Sequence, residues 1–131
     1  MERRNIASDA AWEPMVGYSR AVRVGPFVAV AGTTASDPEG HALSPGDAYS
    51  QAITIFGKIE HALKAAGASR RDVVRTRMFV TDIDDWREIG RAHAEFFGDV
   101  RPAATLVQVS RLLEPEMRVE IEADAILPTP G

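Results

Sequence analysis

The sequence contains no cysteine, which excludes disulfides, thiolate metal sites and a cysteine nucleophile. Long apolar runs are missing as well, and no stretch approaches the ~18–20 residues of a membrane-spanning helix. Behind the two arginines of Met1-Glu2-Arg3-Arg4-Asn5-Ile6 there is no apolar segment. No secretory leader and no membrane partner are therefore expected, and the cytoplasm is the expected compartment. An excess of positive charge is also absent: Lys and Arg number 15 against 19 Asp and Glu, a formal net charge of −4. That balance disfavours nucleic acid as a partner. Phosphate-cradling glycine loops, a Gly-x-Ser-x-Gly elbow and a His-Glu-x-x-His pattern do not occur. The three histidines, His41, His61 and His93, lie at no metal-ligand spacing, so neither a metal nor a cofactor is expected.

What is present fits one soluble domain over residues 1–131, with 45% hydrophobic and 26% charged residues. Arg20-Ala21-Val22-Arg23-Val24 alternates polar with apolar, Gly25-Pro26 makes a turn, and Phe27-Val28-Ala29-Val30-Ala31 follows as an apolar strand. Residues 33–46, rich in Thr, Ser, Asp, Pro and Gly, read as a loop. Ser44-Pro45-Gly46-Asp47 marks a helix start with serine as the cap. Ala52, Ile55, Phe56, Ile59, Leu63 and Ala66 then keep helical spacing up to Gly67. Val73–Val80 has strand composition, and Asp82, Asp84 and Asp85 precede a second helix that Gly98 ends. The inward stripe of that helix is Trp86, Ile89, His93, Phe96 and Phe97, and Glu88, Arg91 and Glu95 are spaced to pair along its wet face. Two strands follow, about 104–112 and 117–126, and Pro128–Gly131 reads as a tail.

The order is β-β-α-β-α-β-β, an α+β fold with two helices packed on one face of a mostly antiparallel sheet. On the last strand Val119, Ile121, Ala123 and Ala125 suit the helix layer, which turns Glu120, Glu122 and Asp124 to the far face. On the strand before it, Val107 and Val109 are expected to face the helices, with Ala104, Leu106, Gln108 and Ser110 on the far side. An uncovered face of this mixed character suits self-association, the alternative being a solvated face.

Two groups could carry chemistry. His93 lies on an apolar stripe, where a histidine is either a hydrogen-bonded core residue or an acid–base group. Glu120 and Glu122 share one strand face, where partial burial would raise a carboxylate's pKa. The other reading of that pair is a charge ladder balanced by Arg75, Arg77 or Arg118.

Arg101-Pro102-Ala103-Ala104-Thr105-Leu106-Val107-Gln108-Val109-Ser110-Arg111-Leu112 followed by Arg118-Val119-Glu120-Ile121-Glu122-Ala123 resembles the signature of the Rid superfamily, the YjgF/RidA reactive-intermediate deaminases. Val24–Val28 through Ala31-Gly32-Thr33, Leu63–Gly67 and Val80–Trp86 resemble further family segments in the same order, so the resemblance covers roughly residues 16–127. It implies a chorismate-mutase-like fold and a homotrimer with small-molecule clefts between subunits. It also implies hydrolysis of enamines and imines to 2-keto acids and ammonia.

Carried over by position, the resemblance puts the water-positioning glutamate on Glu120, backbone contacts on Gly32 and Thr33, and a lining tyrosine on Tyr18. The family's carboxylate-binding arginine falls on Ala104, an asparagine on Gly90 and a tyrosine on His93, which marks an arginine-lacking branch. Two functions follow. One is a hydrolase in which Glu120 and His93 act, with Arg77 or Arg101 in place of the missing guanidinium. The other is a non-catalytic trimer of the same fold that binds small molecules or proteins.

Overall fold

The computed structural model describes residues 1–128, so the expected tail beyond Pro128 lies outside the described residues. Six strands form one sheet: β1 (Arg3–Ile6), β2 (Ala21–Val24), β3 (Phe27–Thr34), β4 (Val73–Val80), β5 (Ala103–Gln108) and β6 (Val119–Ile126). They lie in the order β1-β2-β3-β6-β4-β5, and only the β4–β5 pairing is parallel. The helices are α1 (Trp12–Val16), α2 (Ala48–Ala65) and α3 (Trp86–Phe97). The expected α+β architecture is thus present, with two additions at the N-terminus. β1 is an edge strand held through backbone pairing to β2, and α1 is a five-residue helix stopped by Gly17 at φ 85°.

The β2–β3 hairpin closes through Gly25-Pro26, where Gly25 supplies the positive φ (58°) that a two-residue loop requires. α2 begins at Asp47, not at Ser44. The Asp47 carboxylate accepts hydrogen bonds from the Ser50 amide at 3.0 Å and the Ser50 hydroxyl at 2.8 Å, so it neutralises orphan donors of the first turn. Ser44 sits in the preceding turn at φ 48°.

The core lies between the sheet and one face of each long helix. Ile55, Phe56, Ile59 and Leu63 of α2 and Ile89, Ala92 and Phe97 of α3 are buried against Val28, Val30, Val80, Val119, Ile121 and Ala123. Removing these apolar surfaces from water is the dominant favourable contribution to folding. Phe56 stacks on Phe96 at 5.0 Å and meets Phe97 edge-on at 5.6 Å, which fastens α2 to α3.

Three expectations are corrected. Trp86 is 50% exposed at the head of α3, with the Arg87 guanidinium over its ring, and is not part of the inward stripe. Arg91 and Glu95 do not pair along α3 but grip Tyr49 of α2. The guanidinium lies 3.8 Å from the ring centroid, and the Tyr49 hydroxyl donates to Glu95 at 2.5 Å. On β5 the facing is opposite to the expected one. Ala104 and Leu106 are level with Thr76 and Met78 of β4, which are buried under the helices, so they share the helix side and Val107 the far side.

Candidate functional site

The site grows out of an irregularity in β3. Val30 pairs with Ala123 and Thr33 with Ile121, so Ala31 and Gly32 together oppose the single residue Glu122. Such a bulge bends the strand and resets its facing. Thr33 therefore turns into the core at 2% exposure, while Thr34 pairs with Glu120 on the far side. The Glu120 carboxylate settles over Gly32, where any β-carbon would collide with Oε2.

β2 stops pairing at Val30, so β3 from Gly32 onward runs past its neighbour with carbonyls to satisfy. Two cations take them. Arg20 donates to the Gly32 carbonyl at 2.9 Å and to Thr33 Oγ1 at 2.8 Å. Lys58 Nζ reaches from α2 to the carbonyls of Thr34 (3.0 Å) and Ser36 (2.7 Å). Arg20 is itself buried and is balanced by buried Glu13, whose Oε2 lies 3.5 Å from Arg20 Nε. Glu13 also accepts the Ser8 amide at 3.0 Å and the Ser8 hydroxyl, which straps the N-terminal segment to the same network.

Around this edge lies a cavity of about 680 Å³. Tyr18, Arg20, Gly32, Thr33 and Glu120 line one side and α2 another. Burial raises the Glu120 pKa, and the like charge of Glu122 raises it further, against the opposing pull of Arg20. Burial lowers that of Lys58, as does the Arg20 charge, while Asp9 and Asp37 act the other way. A half-desolvated carboxylate beside an open edge can hold a water or take a proton from one.

Four of the residues singled out in the sequence thus meet in one cavity: Tyr18, Gly32, Thr33 and Glu120. His93 does not join them. Its Nε2 is 2.9 Å from Thr76 Oγ1, its ring packs against Phe56 and Phe97, and burial lowers its pKa. Thr76 pairs with Ala123 and Glu120 with Phe79, so His93 and Glu120 lie on opposite faces of the sheet within one chain. Ala104 is level with Thr76, and Gly90 sits one turn before His93, so these three gather on the helix side towards the β5 edge. Arg77 is on the far face, donating to Glu122 at 3.1 Å and to Asp124 at 3.3 Å. This is the charge balance that the sequence offered as an alternative, but for Glu122 and Asp124 only; Glu120 has no ion pair among the described residues. Arg101 is exposed ahead of β5, at φ 53°, and makes no hydrogen bond or ion pair among the described residues. Among those residues no cluster of metal-ligating side chains occurs, and no helix is long and apolar enough to cross a membrane.

A family model described as Endoribonuclease L-PSP matches residues 8–127. The chain belongs to the Rid/YjgF superfamily. It is 35% identical over 125 residues to a RutC family protein of Pyrococcus abyssi, covering 95% of this chain and 98% of that one. To the 3-aminoacrylate deaminase RutC of Acinetobacter baylyi it is 31% identical, with the same coverage. A solved member of the YjgF/YER057c/UK114 family from Mycobacterium tuberculosis superposes with a TM-score of 0.87 at 48% identity, covering 96% of this chain and all of that one. The six-stranded fold is therefore the chorismate-mutase-like one that the Rid resemblance implied.

Sequence reasoning missed Glu13, Arg20 and Lys58. None sits in a motif, and each matters only because the bulge leaves one strand edge bare. A usable signal did exist in the small residues Thr54, Gly57 and Ala65, which lie at helical spacing beside the core stripe of α2.

Proposed function

We propose that this protein hydrolyses the C–N bond of a small enamine or imine, with Glu120 holding the attacking water, in clefts completed by a second subunit of a homotrimer. The observation that carries this reading is the Glu120 carboxylate over Gly32 in an open cavity, its pKa raised by burial. The deaminase named among its relatives agrees with that chemistry. An enamine first takes a proton on carbon and gives one up from nitrogen, which makes it an imine. Water then adds its oxygen to the imine carbon while Glu120 accepts a proton. The nitrogen is protonated, the C–N bond breaks, and a carbonyl compound and ammonia leave.

The division of residues supports the oligomer. Tyr18, Gly32, Thr33 and Glu120 line one cavity, and Gly90, His93 and Ala104 lie apart from it, towards the β5 edge, with His93 on the sheet face opposite Glu120. A neighbouring copy would unite the two half-sites, so that His93 of one subunit serves as acid or hydrogen-bond donor to the cleft of the next. Of the two arginines offered for an anionic substrate group, Arg77 is held by Glu122 and Asp124, which leaves Arg101. A second reading, a ligand-binding trimer without catalysis, is favoured by the methyl group at Ala104, which cannot grip a carboxylate as a guanidinium does.

Hydrolysis of freshly generated 2-aminoacrylate by wild type and by Glu120→Ala tests the enzyme reading. A rate above buffer that Glu120→Ala loses supports it, and buffer rates for this and bulkier imines leave the binding reading. Light scattering tests the oligomer: a mass about three times 14.2 kDa is expected, and a single-chain mass refutes the trimer.

A further inference from the structure

The cavity extends well beyond Glu120. Along α2 it is lined by Thr54, Gly57, Lys58, His61, Ala62 and Ala65, the i, i+3, i+4, i+7, i+8 and i+11 positions of one helical stripe. Eleven residues at a rise of ~1.5 Å cover roughly 16 Å. With C–C bonds of about 1.5 Å, a three-carbon acid covers only about one turn of that length. The opposite wall comes from the N-terminal segment, with Ile6, Ala7, Ala10 and Trp12, and Leu113 closes the outline. Apolar surface predominates in this cavity, and Ser8, Asp9, Thr54, Lys58 and His61 set polar groups among it.

Within α2 one position stands against local preference. Gly57 is in mid-helix, where glycine costs about 0.5–1 kcal/mol relative to alanine. Its φ is negative, so no unusual backbone requires glycine. Nothing lies within 4 Å of a β-carbon built there, so packing does not require it either. What a side chain at this position would do is fill the cavity. The same cavity holds Glu120 and the Gly32–Thr34 edge, so the channel and the carboxylate are in one continuous space.

We propose that the channel between α2 and the Ile6–Trp12 segment is a side-chain subsite, which makes bulky aliphatic or aromatic 2-imino acids the preferred substrates over the three-carbon ones. This rests on the deaminase reading of Glu120. The ligand's imine carbon lies at Glu120, and its hydrocarbon group runs along the small-residue stripe, releasing water from Trp12, Ala65 and Leu113. The bulky ligand gains from that burial, and a short one leaves the channel wet.

The test compares wild type with Gly57→Leu on imines released in situ by an amino-acid oxidase from alanine, leucine and phenylalanine. The readout is the ratio of kcat/KM for the leucine or phenylalanine imine to that for the alanine imine. Wild type is expected to favour the bulky imines at least tenfold, and Gly57→Leu to lower the ratio at least tenfold. Thermal unfolding verifies that the variant is folded, as does Gly57→Ala, which should melt at or above wild type. An unchanged ratio in a folded Gly57→Leu protein, or a wild type indifferent to side-chain size, overturns the subsite.

If wild type hydrolyses none of the three, the deaminase reading fails and calorimetry with the keto acids pyruvate and 4-methyl-2-oxopentanoate decides the channel separately. Tighter binding of the branched acid, abolished by Gly57→Leu, upholds it. Equal or absent binding of the two acids overturns it.

Discussion

Gly32 and Glu120 occupy the space of one side chain between them: the glutamate carboxylate lies where a β-carbon of residue 32 would stand. The bulge in β3 brings them together, because it places Gly32 on the face that Glu120 shares. Gly32→Ala must therefore push the carboxylate aside. A displacement of about 1 Å at a reacting centre can cost on the order of 100-fold in rate. The expected outcome is a loss of imine hydrolysis approaching that of Glu120→Ala, with the fold retained by circular dichroism.

The same carboxylate makes stability depend on pH. Its pKa is raised in the folded protein above the ordinary 4.5, so the folded state holds this proton more tightly than the unfolded chain does. Glu120 costs nothing at low pH, where both states are protonated. Its penalty grows as pH rises from about 4.5 through the folded value. Glu120→Gln removes the penalty. Urea unfolding should find this variant more stable than wild type at pH about 7 and equal to it near pH 4. A variant less stable at neutral pH would show that the carboxylate is favourably paired.

Much of this fold can be read in the sequence because hydrophobic period and punctuation agree. β4 carries β-branched and aromatic composition, and α3 and the β2–β3 hairpin carry helical spacing or alternation, with aspartate or glycine at their ends. β5 misleads for a physical reason. Leu106 and Val107 are adjacent, and an edge strand with little burial on either face leaves no clean alternation to show which side is covered. Its facing is decided by the parallel register with β4, which sets Ala104 beside Thr76. β1 is equally silent, since Arg3-Arg4-Asn5-Ile6 joins the sheet through backbone groups and not through an apolar face.

At the site, family resemblance points to Glu120, Gly32, Thr33 and Tyr18, and the charge pattern of β6 by itself assigns Glu120 its face. The network beneath them links residues distant in sequence, such as Lys58 with Thr34 and Arg20 with Thr33, and no local spacing encodes such contacts.

That network makes Glu13 a structural residue of the cavity. Arg20 and Glu13 are both buried, and Glu13 is the only acid paired with this guanidinium among the described residues. Removing one partner of a buried ion pair strands the other charge, at a cost of about 3–5 kcal/mol. Glu13→Ala also releases the Ser8 amide and hydroxyl, which frees the Ile6–Trp12 segment. Equilibrium unfolding in urea should show a loss in that range, with faster proteolysis near Ser8. A loss below about 1 kcal/mol would mean that water reaches Arg20 in place of the carboxylate.

His93 makes the fold sensitive to acid in the sense opposite to Glu120. Its ring is partly buried between Phe56 and Phe97 and bonded to Thr76, and burial depresses its pKa below 6.5. The unfolded chain therefore takes up this proton first as pH falls. The contribution of His93 is complete above about pH 6.5 and is lost as pH drops from there through the folded value. His93→Gln keeps a hydrogen-bonding group for Thr76 but carries no titrating one. Between pH about 7.5 and 5.5 the urea midpoint of wild type should fall more than that of His93→Gln. Parallel curves would require that the folded protein accommodate the imidazolium, and with it a carboxylate close to the ring. Thr76→Val, which removes the hydroxyl partner from a fully buried position, should cost about 1 kcal/mol near neutral pH and leave the acid dependence in place.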